Sequence, residues 1–187
     1  QLHTVSKRMI NSKGFSLIEV LVALLLTTIG ILGMVALQGR SIQYTQDSVQ
    51  RNTAVELAND LIEIMRANPN ELFNLAPPKF PMNSGFKDTS IFFKSSTKAF
   101  SGRKACVAAP GKIPKTAVEL RDCWADTVEA KLPGGATVFN SDVYVCRSST
   151  PGSCDDKGSM LEVRLAWQTR EGACLDAGDS DATICTY

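Results

Sequence analysis

One carboxylate stands inside an oily run. Glu19 is the single charged side chain between Phe15 and Leu37, in the stretch KGFSLIEVLVALLLTTIGIL that opens at Lys13. A carboxylate in such surroundings is costly unless it is paired, so the chemistry it suggests is recognition of a cation. The other reactive groups are six cysteines, all at or beyond Cys106, and one histidine, His3. Carboxylates are plentiful, yet no pattern groups two of them into a catalytic pocket. No phosphate-binding glycine motif is present either.

The element that carries Glu19 is a long apolar helix. Phe15 to Leu37 contains no proline and fourteen Leu, Ile, Val and Phe residues. As a helix it reaches roughly 35 Å, enough to span a bilayer core. Those residues contribute very roughly −4 to −8 kcal/mol to insertion, against about +3 kcal/mol for an acid near the centre. Glu19 lies near the end, where the cost falls, so the segment is expected to insert. Lys7, Arg8 and Lys13 precede it without an acid, and Arg40 is the first base after it. That asymmetry predicts a cytoplasmic N-terminus. A cleaved secretory signal would need a shorter core and a small-x-small site, which GMVALQGR does not supply. An ordinary signal anchor satisfies hydropathy alone.

The residues around Glu19 are more specific than an anchor requires. A basic leader ends at Lys13-Gly14, Phe15 follows, and the acid is the fifth residue counted from Phe15. This resembles the class III signal of type IV pilins and pseudopilins. The resemblance implies cleavage after Gly14 by a prepilin peptidase, methylation of the new amine on Phe15, and a role for Glu19 in subunit assembly. The leader is then residues 1–14, and it takes His3 with it, which removes histidine-based triads and metal sites from the mature chain. If Met9 is the start, the leader is MINSKG; the sequence leaves both starts open. In a filament, an unpaired charge among bundled helices is costly, while a carboxylate facing a neighbour's amine recovers much of that cost.

The helix is expected to continue past the membrane half (15–37) through an outer half (38–67). Ser41 to Ala67 lacks Gly and Pro, and Ala54, Leu57, Ala58, Leu61 and Met65 recur at helical spacing, joined by Val55 and Ile62. Gln50, Arg51, Glu56, Asp60, Glu63 and Arg66 form the opposite face, and Pro69 ends the run. Gly30 and Gly33 suit close helix packing or local flexibility. A globular head over 68–187 follows. TAVELRDCWADTVEAKLPGGATV predicts a second helix with Val118, Cys123 or Trp124, Val128 and Leu132 on one side. LPGG then turns the chain into strands at Ala136–Phe139, Val143–Cys146, Met160–Trp167 and Thr183–Tyr187. The expected fold is α+β: a long N-terminal helix packed on an antiparallel sheet with a second short helix. From that second helix through LPGG to VRLAW the chain is similar to minor pilins of the PilV type.

Six cysteines in a domain expected to face outward argue for disulfides. The sequence does not choose among the possible connectivities; sequential pairing, Cys106–Cys123, Cys146–Cys154 and Cys174–Cys185, is the expectation. No C-x-x-C spacing and no nearby histidine support zinc. Asp176, Asp179 and Asp181 in DAGDSDA could hold calcium but lack EF-hand spacing, so no cofactor is expected.

From Phe15 onward the chain holds 17 Lys and Arg against 19 Asp and Glu, which is no general nucleic-acid binder. One stretch is locally basic: Lys79, Lys87, Lys94, Lys98, Arg103, Lys104, Lys112 and Lys115 interleave with Phe80, Phe86, Phe92, Phe93 and Phe100. Such a pattern suits single-stranded nucleic acid or, more simply, a core with solvated lysines. An acidic C-terminal part opposes it, an asymmetry able to steer neighbouring subunits. The resemblance implies other minor pilins, the major pilin, the prepilin peptidase, a tip adhesin and the membrane as partners. Alternatives are a type II secretion pseudopilin and a DNA-binding competence pilin.

Overall fold

The computed structural model describes residues 14–74, 85–106, 111–169, 174 and 183–187. Helix α1 runs unbroken from Leu17 to Ala67. The chain divides into two units, Gln1–Ile42 and Gln43–Tyr187, and α1 contributes to both. Its first part is the one helix among the described residues that is long and apolar enough to cross a membrane. Every residue from Gly14 to Gln46 is exposed.

Within the second unit, α1 buries Ala54, Leu57, Ala58, Leu61 and Met65, while Glu56, Asp60, Glu63 and Arg66 stay in solvent. The same stripe reaches back to Asp47, seven residues before Ala54, which is also buried. Pro69 ends α1 by disfavouring helix at Asn68, whose φ of −127° breaks the run. Pro69 then occupies the first position of a single-turn helix, α2 (Pro69–Leu72), where its missing N–H is harmless.

Helix α3 (Ala117–Lys131) begins at a reciprocal cap. Thr116 Oγ1 accepts from Glu119 N at 3.2 Å, and the Glu119 carboxylate accepts from Thr116 N and Lys115 N. Those bonds hold the Glu119 carboxyl below its usual range. Trp124, Ala125 and Val128 are buried, and Trp124 Nε1 donates to Leu57 O of α1 at 2.7 Å. Val118, expected on the apolar side, is exposed, and Arg121 and Asp122 are buried instead.

The segment Ala136–Phe139, expected as a strand, is helical. Gly134 sits in the left-handed region at φ 62° and opens a one-turn helix, α4 (Gly135–Val138). Val138 and Phe139 reach the core from that turn. A Cβ on Gly135 would meet the backbone of Glu129 and Val128 at 2.7–2.9 Å, so α4 can lie against the end of α3 only with glycine there.

Strand β1 (Tyr144–Ser148) pairs antiparallel with β2 (Met160–Arg164), and β3 (Ala166–Gln168) pairs antiparallel with β4 (Ile184–Thr186). The predicted single strand Met160–Trp167 is thus two strands in two sheets, meeting at Leu165. One core joins α1, α3, α4 and the strands, with Trp167, Phe92, Leu57, Leu61 and Leu165 among its fully buried side chains. The α+β architecture, with a long N-terminal helix, antiparallel strands and short helices, is type IV pilin-like.

Candidate functional site

The helix begins two residues after Phe15, so Gly14 and Phe15 lie on non-helical backbone. Phe15 is 82% exposed, and nothing lies within 4 Å of a Cβ added to Gly14. Both residues are thus exposed on non-helical backbone at the start of α1. Glu19 occupies the first turn of α1, where its N–H and that of Val20 donate to Ser16 O at 3.0 and 3.3 Å. A carboxylate suits a helix N-terminus because it faces the positive end of the peptide dipoles.

Farther along α1, Thr27 and Thr28 donate their hydroxyls back to Ala23 O and Leu25 O, at 2.6 and 2.8 Å. Those polar groups are thus satisfied without water, as a lipid or helix-bundle environment demands. Gly30 and Gly33 leave the helix unbroken, and a Cβ at either would meet open space. They form a smooth patch on which another helix could pack closely.

The head carries the six cysteines as three disulfides: Cys106–Cys123, Cys146–Cys154 and Cys174–Cys185. The first ties the loop before α3 to α3 itself. Arg103 reinforces that tie by donating to Glu129 Oε1 and Oε2 at 2.7 and 2.9 Å and to Asp126 Oδ1 at 2.7 Å. Lys104 N and Cys106 N donate to Asp122 and Asp126. The second disulfide closes the loop between β1 and β2. There the Glu162 carboxylate accepts from Tyr144 Oη, Ser148 Oγ and Gly152 N, at 2.8, 2.6 and 2.9 Å. Burial works to raise the Glu162 pKa, but these donors outweigh it and hold the carboxyl below its usual range.

The described phenylalanines of the basic stretch are spent inside the head, while Lys98, Lys104, Lys112 and Lys115 stay exposed. Phe92 and Phe100 are buried, while Phe86 stacks on Phe73 at 5.0 Å and meets Phe93 edge-on at 6.3 Å. Lys94 is buried, with Nζ donating to Val143 O at 2.7 Å and to Ser95 O at 3.0 Å. Burial first, and Arg103 second, bring its pKa down to about 8, against a smaller opposing effect of Glu129. Arg103 grips α3, so part of the basic-to-acidic asymmetry closes within one subunit. Lys79 and Phe80, and the aspartates Asp176, Asp179 and Asp181, lie outside the described residues. Among the described residues no three metal-ligating side chains converge.

Several structurally decisive residues escape sequence reasoning. Arg121 and Asp122 are adjacent charges that read as solvated, yet both are buried. Arg121 donates to Asp122 Oδ1 through Nε and Nη2 at 2.9 and 2.6 Å, and to Ile91 O at 2.8 Å. Glu162 reads as the polar member of an alternating strand. Asp47 could have been found, since it continues the seven-residue spacing of Ala54 and Leu61.

A long helix, apolar in its first part with an acid in its first turn, followed by an α+β head with disulfides, is type IV pilin-like. Comparison with protein families agrees. Residues 9–35 match the prokaryotic N-terminal methylation motif, and residues 36–80 match the family described as type IV pilin Tt1218. Together these matches support a class III prepilin-type pilin, with membrane anchoring through the apolar helix. Neither the curated proteins nor the solved structures yielded a match.

Proposed function

We propose that this chain is a minor pilin of the PilV type, which primes or supports type IV pilus assembly after prepilin peptidase cleaves between Gly14 and Phe15. The observation that carries this reading is register: an exposed Gly14–Phe15 bond, Glu19 in the first turn, and one unbroken helix from Leu17 to Ala67. Cleavage creates an amine on Phe15, which methylation retains as a base. In the filament, Glu19 pairs with that amine on a neighbouring subunit and sets the depth at which the new subunit enters. Before assembly the helix anchors the subunit in the inner membrane with the head in the periplasm; afterwards the head lies on the pilus, near its tip. Other minor pilins, the major pilin and a tip adhesin are the partners this role requires. The role is structural rather than enzymatic.

Intact-mass and N-terminal analysis of the mature chain tests the processing step: the expected species starts at methylated Phe15. Glu19→Ala should reduce recovery in sheared filaments at least about tenfold, since losing a buried ionic partner is worth several kcal/mol; unchanged recovery refutes the pairing. Deletion of the gene should abolish surface pili and leave protein secretion intact. The opposite outcome identifies a type II secretion pseudopilin.

A further inference from the structure

Two surfaces of the head are left over from its own packing, and they complement each other. The first is a knob at Ile113. It is 77% exposed, more than any other large apolar side chain described beyond Gln43. Leaving such a side chain in water forgoes the gain of burying it. The loop presents it on stiff backbone: Gly111 turns the chain at φ 86°, a conformation that favours glycine, and Pro114 biases Ile113 towards extended backbone. Lys112 and Lys115 flank the knob. Both are exposed, and neither forms an ion pair among the described residues. Glu119, beside them, is engaged in the cap of α3. The second surface is a groove of about 300 Å³ between α1 and α3. Ile64 lines it from α1, and Leu120, Trp124 and Thr127 line it from α3, with Asp60 and Glu63 on the α1 side. Ile64 and Leu120 are only half-buried, so the groove still has apolar surface to cover. Asp60 and Glu63 are exposed. Asp60 forms no ion pair among the described residues, and Glu63 meets the exposed Arg66 at 2.7 Å.

We propose that the Ile113 knob of one copy of this chain enters the α1–α3 groove of a second copy, with Lys112 and Lys115 against Asp60 and Glu63. The match is one of shape and charge together. A branched apolar side chain between two cations meets an apolar groove beside two acids. Exposed ion pairs contribute little on their own, so burial of Ile113 supplies the affinity, and the charges select which surfaces meet. Glu119 lines the cleft beside the knob, and Leu120 lines the groove. Those residues are consecutive, so knob and groove lie side by side on the head. Two copies can therefore exchange knobs about a two-fold axis, which closes a dimer instead of extending a chain.

The contact does not rest on the assembly reading above, since it requires neither cleavage at Gly14 nor a filament. The full chain in detergent micelles tests it, at roughly 0.1 mM and low salt, because a contact this small is weak and screened. Isotope-labelled and unlabelled chains are mixed, and a carbodiimide condenses amines with the carboxylates they touch. The expected product is an amide between Lys112 or Lys115 of one isotopic form and Asp60 or Glu63 of the other. Ile113→Ser, at so exposed a position, should keep the thermal midpoint within a few degrees and cut that product at least about tenfold. Charge reversal then identifies the partner surface. Lys112→Glu with Lys115→Glu reverses the knob in one preparation, and Asp60→Lys with Glu63→Lys reverses the groove in another. Mixed together, the two variants should cross-link to each other with the roles of amine and carboxylate exchanged at the reversed contact. Cross-links that are missing from wild type, confined to chains of one isotopic form, indifferent to Ile113→Ser, or missing from the mixed variants overturn the proposal.

Discussion

Lys94 should make the head more stable as the solution becomes more alkaline, the reverse of what a surface lysine does. Its ammonium lies 5.0 Å from the Phe139 ring, and Arg103 lies 4.8 Å from the same ring. Burial and the Arg103 charge lower the pKa from 10.5 to about 8. Between those values the unfolded chain holds a proton that the folded chain has released, so stability rises with pH across the interval and is flat below about pH 8. Each pKa unit corresponds to about 1.4 kcal/mol, which caps the gain near 3 kcal/mol. Tyr144 works in the opposite sense. Its pKa is raised, by burial and by Glu162, so its contribution falls away above about pH 10, and the useful window closes there. Urea unfolding of a fragment beginning at Gln43, followed by the emission of Trp124 and Trp167, should show the gain between about pH 8 and pH 10. Lys94→Met should abolish the slope. The variant's absolute stability is a poorer guide, because Val143 O loses its donor at the same time. Parallel slopes in the two proteins would refute the reasoning.

Three further perturbations probe the same unit by urea titration. Arg121→Ala strands the Asp122 carboxylate in the core and should cost about 3 kcal/mol; adding Asp122→Ala should restore part of that loss, and strict additivity would show that the pair is not coupled. Gly135→Ala forces a methyl onto the Glu129 backbone, which cannot yield as a side chain can, so a loss of at least about 2 kcal/mol is expected; a neutral result would mean that α4 does not rest on α3. Glu162→Gln should destabilise the loop between β1 and β2 by about 1–2 kcal/mol at neutral pH. Because the folded Glu162 pKa is depressed, its stabilisation holds above the unfolded value and fades as pH falls through the folded one. Wild type and variant should therefore converge in acid, and a constant gap would exclude the ionised form as the source.

The parts of the fold legible in the sequence are those governed by period and composition. The buried stripe of α1 from Ala54 to Met65 follows from helical spacing, and Glu19 stood out because hydropathy made it anomalous. Where local propensity and tertiary setting disagree, reading fails. GATVF is rich in β-formers, yet the left-handed Gly134 and the close approach of Gly135 to α3 turn it into a helix. Arg121, Asp122 and Lys94 carry charges that composition assigns to solvent. Each is buried because partners distant in sequence satisfy it: Ile91 for Arg121, Lys104 for Asp122, Val143 for Lys94. The division of Met160–Trp167 into two pairings was equally hidden, since alternation reports which face is apolar and says nothing about which edge is filled.

The cysteine pairing bears on how the head matures. The three bridges join residues 17, 8 and 11 apart, and none encloses or crosses another. Each cysteine's correct partner is its nearest unclaimed neighbour along the chain, so every loop can close as soon as its own segment meets an oxidant. Closure of short loops costs the least entropy, and local encounters outrun distant ones. A chain delivered into an oxidising compartment from its N-terminal side can therefore lock the α3 tether, the loop between β1 and β2, and β4 in that order, without shuffling. Maturation of the head becomes a ratchet that advances with delivery.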